Sequence, residues 1–320
     1  MLILLAALLD YCLGDPIGWL HPVQVIGWVI SLGTALTIDK TSQPRFSPRW
    51  MRVWGIVLAL VVILGSGIIG GVICEGLAKI DSYWGDVGAV ILLASCLAGR
   101  SLRRAAEEVL QVLTDLPEAR RRLSNYVGRD TEHLDEKEIL RAVMETVTEN
   151  GVDGVTAPLF YALLGSFLFP PYGGVIFALS YKASSTLDSM IGYKTPPFTD
   201  LGWFSAKTED CLTWLPCRLT VFTLALLSCR PLYVWRICQR DAVHDPSPNS
   251  GWSECVYAAI LGVQLGGENR YKGLIKRKPL LGDNLQPITP TTISDALSLT
   301  RWCCLTWLLL WSLLLLLQGL

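Results

Sequence analysis

Three long stretches of the chain contain no charged side chain, and they constrain the fold more than any other feature of the sequence. They cover residues 53–74, 155–181 and 302–320. A helix needs roughly 20 apolar residues to cross a hydrocarbon core about 30 Å thick. The sequence therefore predicts a protein that is embedded in lipid.

The composition agrees with a location in lipid. Hydrophobic residues make up 51% of the 320, and charged residues only 17%, which is a shift away from the composition of soluble domains. The formal net charge is -1, so the chain has no general positive field that would attract nucleic acid. Nucleic acid is therefore not an expected partner. The ten cysteines form no CxxC pair, which favours simple packing roles.

The apolar segments predict an all-α, polytopic integral membrane protein with five to eight membrane segments. Residues 39–52 contain four basic side chains and one acid, which places this loop in the cytoplasm by the positive-inside rule. The string PPYGG interrupts residues 155–181, and Pro216 interrupts residues 211–229. Proline breaks a regular helix. We therefore expect a hairpin or a broken span at PPYGG. We also expect one of the two interrupted segments, that at PPYGG or that at Pro216, to be broken or re-entrant.

The polar segments suggest three consecutive parts that work as one functional unit. Residues 1–99 are predicted to hold the N-terminal membrane segments, residues 100–154 a cytoplasmic helical subdomain, and residues 155–320 further membrane segments with polar loops. Asp135 and Glu138 have the spacing of a capping box. A helix is therefore expected to begin at about Asp135.

The string METVTENGVDG contains three carboxylates near a predicted helix end. Glu145 and Glu149 share one helix face, Asn150 follows, Gly151 is expected to end the helix, and Asp153 lies just beyond it. Carboxylates at the negative end of a helix dipole repel one another unless a cation lies between them. Mg²⁺ or an amine would serve. The alternative is a solvated acidic face that ends in a glycine cap.

The string YKASSTLDSMIGYK follows an apolar run and mixes ammonium groups, hydroxyls and a carboxylate: Lys182, Thr186, Asp188, Ser189 and Lys194. Such a set can hold a phosphate together with a metal ion, with Asp188 as metal ligand and the lysines on phosphoryl oxygens. The alternative is that the lysines simply anchor the chain at the membrane interface.

The string RDAVHDPSPNSGWSE is the densest group of polar side chains: Arg240, Asp241, His244, Ser247, Asn249, Ser250 and Glu254. Two prolines stiffen the loop, Asn249 or Ser250 is expected to cap the next helix, and Glu254 is expected in its first turn. A helix start of this kind can bind an anion or a carboxylate. An ordinary turn-rich loop is the alternative.

One further charge lies in apolar surroundings. Arg218 falls within residues 211–229, and Glu209 and Asp210 precede it closely. Charge inside a membrane is costly and is usually paired or functional. The standard motifs of phosphate-loop ATPases, zinc proteases and serine hydrolases are all missing from the sequence.

Several of these strings, in order, resemble the adenosylcobinamide-phosphate synthase family of cobalamin biosynthesis, the CobD/CbiB family. The similar strings are GDP at 14–16, HPV at 21–23, YVGRDT at 126–131, ETVTENGVDGVTAPLFY at 145–161, YKASSTLDSMIGYK at 181–194, LPCRLT at 215–220, RDAVHDPSPNSG at 240–251 and LGVQLGG at 261–267. The resemblance extends over nearly the whole chain. The family often has two aspartates where this chain has Glu209 and Asp210, and alanine where it has Cys217.

The resemblance implies a multi-pass enzyme of the cytoplasmic (inner) cell membrane. Such an enzyme joins adenosylcobyric acid to (R)-1-amino-2-propanol or its O-phosphate through an amide bond, and consumes ATP with Mg²⁺. The implied partners are a corrinoid, an amino alcohol and the lipid bilayer.

On this basis we assign roles to the polar residues as follows. Catalytic roles go to Glu145, Glu149, Lys182, Asp188 and His244, with His244 or a carboxylate as the base that deprotonates the amine. Metal-binding roles go to Glu149, Asp153 and Asp188. Substrate-binding roles go to Asn150, Asp153, Thr186, Ser189, Lys194, Arg218, Arg240, Asp241, Ser247, Asn249, Ser250 and Glu254.

Two other readings stay open. A membrane sensor resembling the AmpE proteins would carry out no turnover, but a sensor has no need for so many ionisable groups at the lipid boundary. A secondary transporter would explain the broken segments, but we find no internal repeat in the sequence.

Overall fold

The computed structural model describes residues 1–14, 21–39 and 43–319. The first helices are α1 (Leu2–Cys12), α2 (Pro22–Ala35), α3 (Pro48–Ala78), α4 (Ser82–Ala94), α5 (Gly99–Leu110), α6 (Leu116–Leu123) and α7 (Glu136–Gly151). They are followed by α8 (Ala157–Leu168), α9 (Gly173–Ile191), α10 (Phe198–Leu201), α11 (Trp203–Leu227), α12 (Pro231–Asp241), α13 (Ser250–Leu261), β1 (Leu265–Tyr271), β2 (Leu274–Leu281) and α14 (Pro290–Gln318). The predicted helical class is confirmed. Asp15 and Pro16 of the GDP string lie outside the described residues.

Within the described residues, five helical segments are long and apolar enough to cross a membrane: Pro48–Ala78, Ser82–Leu110, Glu136–Leu168, Trp203–Leu227 and Pro290–Leu317. Large apolar side chains stay exposed along them, as at Val61, Ile68 and Leu309. Lipid would cover such side chains, whereas water would not. The chain is therefore a multi-pass helical membrane protein, as predicted.

The chain divides into two compact units. Unit 1 consists of Met1–Ala98 and Ala157–Thr213, and unit 2 consists of Gly99–Thr156 and Trp214–Leu320. The predicted parts at 1–99, 100–154 and 155–320 describe the chain by sequence segment, and their working as one unit stays a prediction.

In unit 1, glycines allow α3 to pack closely against its neighbours. A Cβ atom added at Gly67 would overlap the Ser180 side chain of α9, and one added at Gly55 would overlap the carbonyl oxygen of Leu201 in α10. Leu187 of α9 is fully buried in the same core. Small residues are the usual way for membrane helices to approach each other this closely.

The two predicted proline breaks have different outcomes. The PPYGG string forms the turn between α8 and α9, so the predicted hairpin is confirmed. The predicted break at Pro216 is wrong, because α11 continues through this residue. A proline leaves the carbonyl four residues earlier without its helical partner, and here the Tyr161 hydroxyl donates to the carbonyl oxygen of Leu212 at 2.8 Å.

In unit 2, α7 begins and ends as predicted. The Asp135 side chain accepts from the Glu138 N–H, and the Glu138 side chain accepts from the Asp135 N–H, so the capping box is confirmed. The α-helix ends at Gly151 as expected, but the chain does not leave the helical path there, because a π-helical turn (Val152–Thr156) continues directly into α8. Gly151 lies close to the Tyr257 hydroxyl and the Thr300 side chain, so it serves close packing.

Unit 2 also contains an antiparallel hairpin of β1 and β2, which was not predicted from the sequence. Its turn residues Lys272 and Gly273 both have positive φ, 50° and 79°, as a two-residue type I′ turn requires. The Asp130 carboxylate accepts from the N–H of Lys272 at 2.9 Å and from the N–H of Gly273 at 2.7 Å. The loop before α7 thus caps the turn of a hairpin that lies much later in the chain.

Candidate functional site

The candidate site lies in unit 2, where the side chain of Glu145 is only 2% exposed. Its Oε1 atom accepts from Nη1 of Arg141 at 3.0 Å and from the N–H of Gly266 at 3.0 Å, and its Oε2 atom accepts from Nη2 of Arg129. Both carboxylate oxygens are therefore occupied by donors of the protein itself. Glu145 holds β1 against α7, and its predicted catalytic role stays a prediction.

The two arginines extend this connection along β1. Arg141 donates to the carbonyl oxygens of Gly266 at 2.6 Å and Glu268 at 2.9 Å, and Arg129 donates to Oδ1 of Asn269 at 2.7 Å. Multidentate hydrogen bonding of this kind is what the rigid guanidinium group favours. The position of the hairpin on α7 is therefore fixed at three successive places.

The hairpin brings a lysine to a buried acid on α13. Nζ of Lys278 on β2 lies 3.0 Å from Oε1 of Glu254. The side chain of Glu254 is 0% exposed and that of Lys278 is 21% exposed. The prediction that Glu254 lies in the first turn of the helix is wrong, because α13 begins at Ser250 and Glu254 falls in the second turn, inside the unit.

Two further acids, Glu145 and Glu149, contribute to the charge around this pair. Glu149, one turn after Glu145 on α7, interacts electrostatically with Lys278, Glu145 and Asp245. The acids around Glu254 therefore outnumber its single close cationic partner, Lys278. A small cation would find a favourable potential here.

The charges and the burial shift the protonation equilibria of the pair. Burial raises the pKa of the Glu254 carboxyl to about 8; Glu149 and Glu145 reinforce this shift, and Lys278 opposes it. Burial acts to lower the pKa of Lys278, but the carboxylates of Glu254, Glu149 and Glu145 outweigh it, and the pKa is raised above its ordinary value. Glu254 therefore exchanges its proton near neutral pH while Lys278 keeps its charge.

The loop that precedes α13 is organised by Asp245. Its Oδ1 atom accepts from the N–H of Ser247 at 2.8 Å and from the Ser250 hydroxyl at 3.3 Å, and Ser247 in turn accepts from the N–H groups of Asn249 and Ser250. Asn249 is the N-cap residue of α13 by position, as predicted, but its side chain makes no capping hydrogen bond. The hydrogen bonds of Asp245 and Ser247 therefore fix the conformation of this loop.

Arg218, on α11, contacts the same loop and holds it in place. Its guanidinium carbon lies 4.4 Å from the ring centroid of Trp252 and 5.5 Å from that of Trp214, within the range of cation–π attraction. Its Nη2 atom donates to the carbonyl oxygen of Pro248 at 2.9 Å. The contacts of Arg218 in unit 2 thus position the loop, whereas its predicted contact with substrate stays a prediction.

Arg240 and Asp241 form a separate ion-pair group. Arg240 donates to both carboxylate oxygens of Asp241 and to Oδ1 of Asp283 at 2.8 Å, and Asp241 also accepts from the N–H of Gly282. Burial acts to raise the pKa of Asp241, but Arg240 and Gly282 hold it below its ordinary value. His244 follows in a short 3₁₀ turn and is exposed.

The other predicted residues of unit 2 lie at the end of α7. Asn150 is exposed, and its amide donates to the carbonyl oxygen of Thr146. Asp153 lies in the π-helical turn. The end of α7 is therefore not a free helix terminus, because the π-helical turn leads on into α8. The predicted gathering of the three carboxylates stays a prediction.

The residues of the YKASSTLDSMIGYK string lie in unit 1. Lys182, Thr186, Asp188 and Ser189 are on α9, and Lys194 follows it and is exposed. Thr186 and Ser189 donate to backbone carbonyls one turn earlier, those of Lys182 and Ser185. The structure therefore groups these residues on and after one helix, and their predicted part in the site of unit 2 stays a prediction.

Sequence reasoning missed the basic members of the site, Arg129, Arg141 and Lys278, together with Asp245. Arg141 had a visible signal, since it stands four residues before Glu145 on the same helix. Lys278 had a weaker one, the Lys-Gly pair at 272–273 between two strand-forming runs.

Comparison with known proteins adds evidence that is independent of this geometry. A family model described as CobD/Cbib protein matches residues 3–300. A protein named "Cobalamin biosynthesis protein CobD" from Synechocystis sp. is 54% identical over 307 residues, which cover 95% of this chain and 88% of that protein.

Two relatives from other bacteria carry the same name. The protein from Halalkalibacterium halodurans is 40% identical over 303 residues, covering 92% of this chain and 89% of its own. The protein from Yersinia enterocolitica is 38% identical over 315 residues, which cover 96% of this chain and 95% of that protein. No solved structure matches the chain.

Proposed function

Because the chain belongs to the CobD/CbiB family, we propose that it is a membrane enzyme of cobalamin biosynthesis, with a corrinoid as substrate. The reaction proposed is the joining of adenosylcobyric acid to (R)-1-amino-2-propanol or its O-phosphate through an amide bond, in the cytoplasmic membrane of the cell. The observation that carries the proposal is the buried pair of Glu254 and Lys278 beside Glu149. It is a water-shielded acidic site that suits a small primary amine.

The chemistry requires activation of the corrin carboxylate. A carboxylate carries negative charge and has a poor leaving group, so an amine does not displace oxygen from it at a useful rate. Transfer of a phosphoryl group from ATP would give an acyl phosphate, from which phosphate leaves readily. The amine nitrogen then attacks the carbonyl carbon.

The residues of unit 2 supply what the amine needs. In their ionised forms, Glu149 and Glu254 attract an ammonium group, and the low local dielectric strengthens this attraction. Glu145 and its two arginines fix the hairpin that carries Lys278, and so keep Lys278 at Glu254. The site thus combines attraction of a cation with a group able to exchange a proton.

Mg²⁺ fits this reaction as a companion of ATP. No group of three His, Cys, Asp or Glu side chains is placed to hold a metal ion in the described part of the chain. Mg²⁺ is commonly bound by one or two carboxylates together with substrate phosphates, so a cage made by the protein alone is not required. Bound in this way, it would offset the negative charge of the phosphates.

Reconstitution in lipid tests the proposal. The purified protein is supplied with adenosylcobyric acid, ATP, Mg²⁺ and each amine in turn, and the product is detected by mass. We expect a new amide, lost in Glu254→Gln and kept in Glu136→Gln, which changes an exposed acid on α7. If the folded protein forms no amide with either amine, the enzyme proposal fails and a sensor without turnover replaces it.

A further inference from the structure

We propose that the Oε2 atom of Glu254 accepts the proton that the ammonium group of the substrate must lose before its nitrogen attacks. This inference rests on the proposed function, and it assigns a base to that reaction. Glu254 was expected only to bind substrate, and the base was expected to be His244 or a carboxylate. His244 is exposed to solvent.

The two oxygens of Glu254 differ in their surroundings. Oε1 is bound by Nζ of Lys278 at 3.0 Å, whereas Oε2 is buried and has no hydrogen-bond partner among the residues that the structure describes. A buried carboxylate oxygen without a partner is costly, and such an atom in a folded protein calls for an explanation. A ligand N–H group provides one.

The charged groups around Glu254 favour a cation as that ligand. They are two acids from α7, one acid from the loop before α13, one lysine from β2, and the two arginines that hold one of the α7 acids, Glu145. These are Glu145, Glu149, Asp245, Lys278, Arg129 and Arg141. Since the two arginines are both engaged by Glu145, the remaining carboxyl groups are those of Glu149, Asp245 and Glu254, and Glu149 and Glu254 share the charge of Lys278.

A second orphaned oxygen lies in the same neighbourhood. Oδ2 of Asp245 is buried and also lacks a hydrogen-bond partner within residues 1–14, 21–39 and 43–319. Asp245 acts electrostatically on Glu149, and Glu149 acts on Glu254. An ammonium group has three N–H donors, so it can satisfy more than one such oxygen.

The protonation behaviour of Glu254 suits the role of a base. Its pKa is raised to about 8 by burial, which brings it closer to that of an alkylammonium than an ordinary carboxyl would be. Proton transfer is most effective when donor and acceptor are matched near the working pH. Arrival of a second cation would in turn favour the ionised form of Glu254.

The step balances as follows. One N–H bond of the ammonium breaks, its proton forms an O–H bond with Oε2 of Glu254, and the nitrogen keeps the electron pair. That pair forms the C–N bond with the carbonyl carbon of the acyl phosphate, and the C–O bond breaks as phosphate leaves with its electrons. The nitrogen then carries a positive charge and passes its second proton to the departing phosphate, which leaves a neutral amide. The neutral Glu254 then returns its proton to solvent. The acyl phosphate itself comes from the corrin carboxylate and ATP.

Hydroxylamine tests this role, because it is uncharged at neutral pH and has no ammonium proton to lose. In reconstituted protein with adenosylcobyric acid, ATP and Mg²⁺, we expect Glu254→Gln to slow amide formation with 1-amino-2-propanol by about 100-fold or more, and hydroxamate formation by less than about threefold. Glu136→Gln is the control and should change neither rate.

Two outcomes overturn the inference while leaving the proposed function intact. Equal losses with both nucleophiles would mean that Glu254 supports the site as a whole, and an unchanged rate with 1-amino-2-propanol would mean that it takes no proton. If Glu254→Gln does not fold, Glu254→Asp keeps the carboxyl with a shorter arm, and it must slow the amine more than hydroxylamine. If the wild-type protein forms neither amide nor hydroxamate, both the proposed function and this inference are wrong.

Discussion

Lys278 on β2 and Glu254 on α13 place their charged atoms 3.0 Å apart although they are 24 residues apart in sequence. Glu254 is completely buried, and the side chain of Lys278 is 21% exposed. Such a pair depends on accurate geometry, since the buried Glu254 carboxylate has no water molecule to replace its partner. The geometry comes from the hairpin and from the contacts that fix it to α7.

Lys278→Met should move the pH dependence of amide formation to higher pH. A base acts in its deprotonated form, so activity rises as pH increases through the pKa of Glu254, which is about 8 in the intact protein. The charge of Lys278 lowers that pKa, and its removal raises it, by about one unit or more. The measurement is the rate against pH, with Lys276→Met as control because Lys276 is exposed on the same strand. An unmoved midpoint contradicts the prediction.

Glu145→Ala should destabilise unit 2 strongly. The change leaves Arg129, Arg141 and the N–H of Gly266 without their shared acceptor. Loss of one partner from a buried ion pair typically costs about 3–5 kcal/mol. Unfolding in detergent micelles measures the loss. Lys137→Ala, at an exposed position of the same helix, should cost less than about 0.5 kcal/mol, and equal effects of the two changes would refute the role of Glu145.

Arg218→Lys should be less harmful than Arg218→Met, and both should loosen the loop at 245–250. Lysine keeps the charge beside the tryptophan rings but loses the flat guanidinium and its bond to Pro248. Cation–π contacts contribute about 0.5–2 kcal/mol, so the methionine variant should lose stability of that order. Tryptophan emission and unfolding measure both effects. Arg236→Met removes an exposed arginine of α12 and should leave both unchanged.

Gly55→Ala and Gly65→Ala form a matched pair on α3. An added Cβ at Gly55 would overlap the Leu201 carbonyl, whereas one at Gly65 would meet nothing within 4 Å. Overpacking of a tight core typically costs about 1–3 kcal/mol, so Gly55→Ala should lower the thermal stability in detergent. Gly65→Ala should not lower it. Similar losses in both variants would contradict the packing explanation, because alanine has a higher helix propensity than glycine and propensity alone would stabilise both.

Local rules predicted those features of the fold that depend on neighbouring residues. The capping box of Asp135 and Glu138, the hairpin at PPYGG and the apolar terminal helix all follow from short-range pattern, and the structure confirms them. The continuation of α11 through Pro216 does not follow from such rules, because it depends on a hydroxyl from Tyr161, which is 51 residues away from the carbonyl that it satisfies.

For the site, the sequence indicated the residues but not their surroundings. Glu145, Glu149 and Glu254 stand in conspicuous strings and were chosen as site residues for that reason. Their environments were not predictable, since Gly266 reaches Glu145 across 121 residues and Arg129 reaches Asn269 across 140. The strand that carries Lys278 shows only weak alternation, and its twisted partner strand contains two glycines with positive φ, Gly266 and Gly267.

The late position of β2 in the chain has a consequence for biogenesis. Glu145 meets Arg129 and Arg141 soon after α7 leaves the ribosome, because both arginines precede it. Glu254 must wait until translation has passed Lys278. A nascent chain that has not yet reached this point carries Glu254 without its counter-ion.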